Sequence, residues 1–365
     1  MQEINTREEL LKVLDSGELT GFAFQSLDFF EFEQIILKKK VQGNLFLGCE
    51  LPDSLLHELY HDNYIFPSMN VPYHIYPHEL YNKETLYHGF DPGHPDSYKE
   101  TPDFRIYRHY VDSGRDEANI RETLAARLHD HSITDALHRF LDEFEDRKVV
   151  GIMGGHILER GSRVYTDMAR ISKELTESGY LMVSGGGPGA MEATHVGAWF
   201  AGRSDEDLED ACRILSEAPR YDHPNWLSAA FRVFEKYPET QYRSVGIPTW
   251  FYGHEPPTPF ATHIAKYFAN SVREEGLLAI ARGGIIFSRG SAGTMQEIFQ
   301  ELAQNHYETF GKASPMVFYE KEYWSYERPV YPVIELMHLR KNLDNLNIGI
   351  YDRIEEVVRH IRTSV

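Results

Sequence analysis

From about residue 149 onward the chain alternates short uninterrupted apolar runs with longer helical patterns, and this rhythm restricts the fold more than anything else in its 365 residues. KVVGIMGG (148–155) reads as a buried strand, 163–178 as a helix, YLMVSGGG (180–187) as a strand and 188–201 as a helix. After an interruption over 204–238, acidic and then aromatic, the rhythm resumes. A strand at 244–247, a helix over 262–281, the strand GGIIFS (283–288), a helix over 292–305 and the strand PMVFYE (315–320) follow, closed by a strand near 347–350 and a helix over 353–361. Apolar strands that do not alternate with polar residues are buried on both faces, and the order strand, helix, strand calls for crossovers. The expected class is therefore α/β, a doubly wound parallel sheet over 148–365.

The residues before it are less regular. A short helix at 7–14 and strand-like runs at 21–30 and 44–47 suggest a small α+β region over 1–113, with no internal repeat in sequence. Residues 67–113 are dense in Pro, Tyr and His, so long regular elements are not expected there and the segment is read as wrapping over another surface. Two connecting helices, 116–128 and 134–144, fill 114–147, with Ser132 or Thr134 as the N-cap of the second.

Charge narrows the partners. With 37 Lys and Arg against 56 Asp and Glu the formal net charge is −19, which repels nucleic acid and anionic membranes at long range. A small anion can still be held in a cleft by backbone dipoles. The two cysteines, Cys49 and Cys212, fit a reducing compartment, and the polar N-terminus does not read as a signal peptide, so a cytoplasmic protein without a spanning helix is expected. His74 with His78, and His129, His131 and His138, have usable spacings but lack companion ligands, so no metal site is assigned.

Three glycine turns follow strands. Gly154 and Gly155 end the first, with His156 beside them as either a phosphate contact or a capping or surface histidine. Gly185, Gly186, Gly187 and Gly189, with Pro188 suited to a first helical turn and Glu192 just behind, form the second. The dinucleotide spacing GxGxxG fails here because Ala190 stands where its last glycine belongs, which disfavours a dehydrogenase. The third turn is Arg289, Gly290, Ser291, Gly293 and Thr294 at the start of a helix, where unpaired amides and the macrodipole favour an anion. Glu297 lies three residues past Thr294 and four past Gly293, roughly 5–6 Å further along the same face. Such a carboxylate either faces solvent or assists chemistry at a sugar's anomeric carbon, as carboxylates do in glycoside cleavage.

GGGPGAMEA (185–193) followed by a glycine turn with Thr-x-x-Glu resembles the Lonely Guy phosphoribohydrolases and the related nucleotide 5′-monophosphate nucleosidases. EPPTPF (255–260) and HDHSITDAL (129–137) look closer to the nucleosidase branch. The resemblance covers roughly 128 to the C-terminus. It implies a Rossmann-like fold, no cofactor, a homo-oligomer built on a dimer, and hydrolysis of a nucleoside 5′-monophosphate to a free base and ribose 5-phosphate. The family pattern PGGxGTxxE places its glutamate on Glu297, its threonine on Thr294 and two glycines on Gly290 and Gly293, and its catalytic arginine falls on Arg273. Here the pattern's proline is Arg289 and its second glycine is Ser291. If that glycine needs a positive φ, Ser291 strains the turn by about 1 kcal/mol. Arg289 can instead contact the phosphate, and a nucleotide sensor without turnover stands beside the hydrolase as an alternative.

Overall fold

The structure, a computed structural model, describes residues 1–252, 255–341 and 343–364. They form two compact units, one of Met1–Glu79 with Asp112–Ala136 and one of Leu80–Val111 with Leu137–Val365. In place of one passage near residue 113, the chain leaves the first unit at 79, returns at 112 and leaves again at 136.

In the smaller unit, β1 (Gln2–Ile4), α1 (Arg7–Leu14), β2 (Glu18–Thr20), β3 (Phe22–Gln25), α2 (Glu33–Ile36), β4 (Lys40–Gln42), β5 (Leu45–Leu47), α3 (Asp53–Leu59) and β6 (Tyr64–Phe66) follow in order. The sheet order is β1-β3-β5-β6, and every pairing in it is parallel. Gln2 pairs with Phe22, Ala23 with Leu45 and Leu45 with Tyr64, so the chain winds in successive coils of about 20 residues. Ile4, Phe24, Phe46 and the half-buried Ile65 occupy matching inward positions, the two phenylalanines stacked at 5.0 Å. Buried Asn44 and Asn63 stand at equivalent corners: the Asn44 amide nitrogen donates to Leu19 O (2.8 Å) and to Asn63 Oδ1 (2.9 Å), and that of Asn63 donates to Val41 O (3.0 Å). The repeat missing from the sequence is thus present in space, carried by burial and corner chemistry rather than by residue identity.

The larger unit starts with α4 (Lys83–Leu86) and α5 (Pro102–Asp112), preceding α6 (Ile120–Leu141) in the chain. The proline-rich segment therefore does hold a regular helix, because Pro102 occupies its first position, where a missing N–H costs nothing. Residues 80–111 are tied into this unit. Tyr81 and Ile264 exchange backbone hydrogen bonds of 3.0 and 2.6 Å. Buried Asp103 accepts from Lys266 Nζ at 2.6 Å, Trp250 Nε1 at 3.0 Å and Tyr98 OH at 2.9 Å. Where two connecting helices were expected, α6 runs unbroken. Ser132 and Thr134 hydroxyls donate back to Leu128 O and Asp130 O, a bond that lets a residue typical of caps sit inside a helix.

Next come β7 (Val149–Met153), α7 (Arg163–Glu177), β8 (Leu181–Ser184), α8 (Ala190–Trp199), α9 (Asp205–Ser216), α10 (Trp226–Lys236), β9 (Ser244–Gly246), β10 (His263–Ile264), α11 (Asn270–Ile280), β11 (Gly284–Phe287), α12 (Ala292–His306), β12 (Met316–Tyr319), α13 (Val330–Leu339), β13 (Ile348–Tyr351) and α14 (Ile354–Ser364). Residues 204–238 are thus a helical excursion, α9 and α10. The expected helix over 262–281 begins only at Asn270, because 263–264 pair with β9 as a strand. The seven strands lie in the order β10-β9-β8-β7-β11-β12-β13, all parallel. Val150, Ile152, Met182, Ile286 and Val317 share one core with residues of α7, α8 and α14. α11 packs on β7 and against α12, with Gly151 close to Ala281. This is a Rossmann-like doubly wound α/β fold. Its strand order reverses between β7 and β11, the place where open α/β sheets leave a crevice beyond the strands' carboxyl ends.

Candidate functional site

The three glycine turns come from β8, β7 and β11, three neighbours at that reversal, and they meet. Gly155 N donates to Arg289 O at 2.8 Å. A Cβ on Gly154 would stand 2.6 Å from Ala190 Cβ, and one on Gly189 would stand 2.3 Å from Gly155 O, so neither position admits a side chain. Gly186 has φ +69° and packs on Pro248 and Ile247, and both facts demand glycine. Gly290 is required sterically, since its Cβ would collide with Thr294 Oγ1.

Arg273, on the first turn of α11, is buried. Its Nε donates to Ile247 O at 2.8 Å, and its guanidinium fills the space beside Gly185 that any side chain there would claim. Glu297, half-buried on α12, feels that guanidinium and also the neighbouring Glu274. Burial dominates the balance: it pushes the Glu297 carboxyl up to about 7, with the Arg273 charge opposing and the Glu274 charge adding. A carboxyl near neutrality is divided between acid and base at working pH, the property general acid–base chemistry needs. Ser291, Ala292 and Gly293 are exposed at the start of α12, and Ser291 gives that first turn no side-chain cap.

Ser291 lies at φ −110°, outside the left-handed region, so the strain that a positive φ would impose on serine is absent. Arg289 is not free for a phosphate. It pairs with Glu320, its Nη1 lies 3.6 Å from Glu327, and it covers the Tyr323 ring at 4.8 Å. Tyr323 in turn donates to Gly290 O at 2.7 Å and accepts from Gly290 N at 3.3 Å. Arginine in place of proline therefore braces the turn from the side.

Two other expected contacts are placed differently. Glu192 is fully buried, with both oxygens held by Arg160 (2.7 and 2.5 Å) and one also by Tyr165 OH (2.9 Å), so it anchors α8. Arg160 donates as well to Trp226 O at 2.8 Å, which gives the helical excursion a structural role. His156 Nδ1 lies 3.4 Å from Glu255 Oε1 and so faces a carboxylate.

Sequence reading missed three residues near the turns. Glu274, beside Arg273, accepts from Gln296 Nε2 at 2.8 Å. Glu255 reaches the second turn, its Oε2 lying 3.7 Å from a Cβ position on Gly187. Buried His195 bridges Ser184 (2.8 Å) and Ser244 (2.9 Å), burial pushes it down to about 3, and Ser184 Oγ accepts from Gly186 N at 3.1 Å. Only the short spacing of Ser184 to Gly186 was visible in the sequence. Among the described residues, no group of three or more His, Cys, Asp or Glu is placed to hold a metal ion, and no helix is long and apolar enough to cross a membrane.

No family model matches this chain, and no curated protein matches it. Among solved structures it is similar to the molybdenum cofactor binding protein of the phototrophic bacterium Rippkaea orientalis, at 11% identity and TM-score 0.37 over 59% of this chain and 96% of that one. It is also similar to a structural-genomics protein designated TM1055, at 18% identity and TM-score 0.38 over 58% and 98%. A third is the molybdenum cofactor carrier protein of Chlamydomonas reinhardtii, at 12% identity and TM-score 0.35 over 59% and 96%. Likenesses this distant bear on neither ligand nor reaction.

Proposed function

We propose that the protein hydrolyses the N-glycosidic bond of a nucleoside 5′-monophosphate. The observation that carries this reading is Glu297, a carboxyl pushed up to about 7 beside Arg273, one turn inside the helix that begins at the third glycine turn. The phosphate sits at the α12 N-terminus, where amides and helix dipole favour an anion. Arg273 supplies the cation. Glu297 as carboxylate takes a proton from the attacking water and stabilises positive charge at C1′. The C1′–N bond breaks with its electron pair going to the base, which takes up the proton that Glu297 removed from water, and water's hydroxyl remains on C1′ of ribose 5-phosphate while Glu297 returns to the carboxylate.

Incubation with purine and pyrimidine monophosphates should release free base, detected by chromatography, and Glu297→Gln should lower that release by about 10²–10⁴-fold. Unchanged release in the variant removes Glu297 from the mechanism. A second reading, a nucleotide sensor without turnover, draws on the internal use of Arg289 and the Gly290 amide. It predicts saturable binding with no base released on prolonged incubation.

A further inference from the structure

α11 and α12, the helices that carry Arg273 and Glu297, are joined by a contact to which the hydrolysis above gives no part. Arg273 and Glu274 are consecutive on α11, and Gln296 and Glu297 are consecutive on α12. Gln296 Nε2 donates to Glu274 Oε2 at 2.8 Å, and the other oxygen of Glu274 lies 3.9 Å from Arg273 Nη1. The Arg273 and Glu274 side chains are only 11% and 13% exposed, so salt and solvent screen their attraction little. Arg273 is also tethered, its Nε donating to Ile247 O at 2.8 Å. Among the described residues Glu297 forms no ion pair, so the guanidinium beside it is engaged by a different carboxylate.

A carboxylate locked onto a guanidinium is a weak base, because taking up a proton costs it the attraction of the pair. Glu297 would be such a carboxylate if nothing competed for Arg273. We infer that Glu274 is a positioning residue: held by Gln296, it engages the Arg273 guanidinium and so leaves Glu297 unpaired and the stronger base. This rests on the reading of Glu297 as the base of the hydrolysis. The balance of charge agrees, since burial pushes Glu297 up, Arg273 opposes and Glu274 adds. Other groups nearby are occupied elsewhere. Tyr252, whose hydroxyl accepts from Asn270 Nδ2 at 2.9 Å, acts on Glu274 and Arg273, and Glu301, one turn further along α12, is buried beside Ser314 and Asn305.

The test is the pH profile of base release from a nucleoside 5′-monophosphate, as kcat/KM from pH 5 to 9, in the full chain and in its Glu274→Gln and Glu275→Gln variants. Glutamine at 274 still accepts from Gln296 but carries no charge, and Glu275, exposed at the next position, controls for the loss of one charge anywhere on α11. In Glu274→Gln the midpoint of the rising limb should fall by about one pH unit, with the rate above pH 8 reduced several-fold, and in Glu275→Gln the midpoint should stay in place. A lower rate with an unmoved midpoint, or the same shift in both variants, overturns the inference. A second readout needs no turnover. The rise in melting temperature that Glu297→Gln gives at pH 8 should be smaller when Glu274→Gln is also present, because a less raised carboxyl costs the fold less. An equal rise in the two backgrounds overturns the inference. A smaller rise with no base released by any of the proteins keeps the hold of Glu274 on Arg273 and removes the hydrolysis.

Discussion

Both units are built from parallel strands and helices, yet only in the larger one does the strand order reverse. In the smaller unit the strands add in chain order, β1-β3-β5-β6, so successive connections are equivalent. In the larger unit the order reverses between β7 and β11, connections leave on opposite sides, and three glycine turns gather at the reversal. A reversal of this kind is where open α/β sheets take their ligands. The polar interior follows the same division. Asn44 and Asn63 satisfy turn backbone in the coil, whereas Arg273, Glu274 and Glu297 leave charge unevenly balanced beside the glycine turns.

Breaking the larger unit at its anchor should have the greatest effect. Arg160→Met leaves Glu192 buried without its bidentate partner and should destabilise the unit by about 3–5 kcal/mol in denaturant melts. Gly186→Ala, which imposes φ +69° on a side chain facing Pro248, should cost about 1–3 kcal/mol and weaken nucleotide binding in calorimetry. Asn44→Ala should destabilise by about 1–2 kcal/mol through its orphaned partners, and nucleotide affinity should not change. A change in affinity there would erase the distinction between scaffold and site. Ser291→Gly should move stability by less than about 0.5 kcal/mol beyond glycine's own entropy cost, because the serine does not hold a positive φ.

The sequence displayed the larger fold well, since buried parallel strands followed by glycine turns read directly from residues such as Val149–Met153 and Gly284–Phe287. Glu297 was singled out by its spacing from Gly293 and Thr294 and Arg273 by the family resemblance; the structure puts Arg273 beside Gly185 and within reach of Glu297 by its charge. Glu192 and Arg289 were not, because a charged residue next to a glycine turn looks the same whether it faces a ligand or a partner such as Arg160 or Glu320, far away in sequence. The coil of the smaller unit was hidden for a related reason: the register sets Phe22, Asn44 and Asn63 at equivalent positions, so its corners are not held by one repeated residue. Ser291 appeared strained only so long as its φ was unknown.

The raised carboxyl makes opposite demands on activity and stability. A carboxyl whose folded-state value of about 7 lies above the ordinary 4.5 favours the folded state at low pH, and that contribution is lost as pH rises through 7. Glu297→Gln should therefore melt above the unsubstituted protein at pH 8, and the gain should shrink below pH 5. Catalysis needs the other form, the carboxylate. The most direct test is the rate of base release from a nucleoside 5′-monophosphate, as kcat/KM, measured from pH 5 to 9 in the unsubstituted protein and in Glu297→Gln. A limb rising with a midpoint near 7, absent from the variant's residual rate, is the predicted result. The same limb in both proteins, or a midpoint at the ordinary carboxylate value, would contradict the assignment of Glu297.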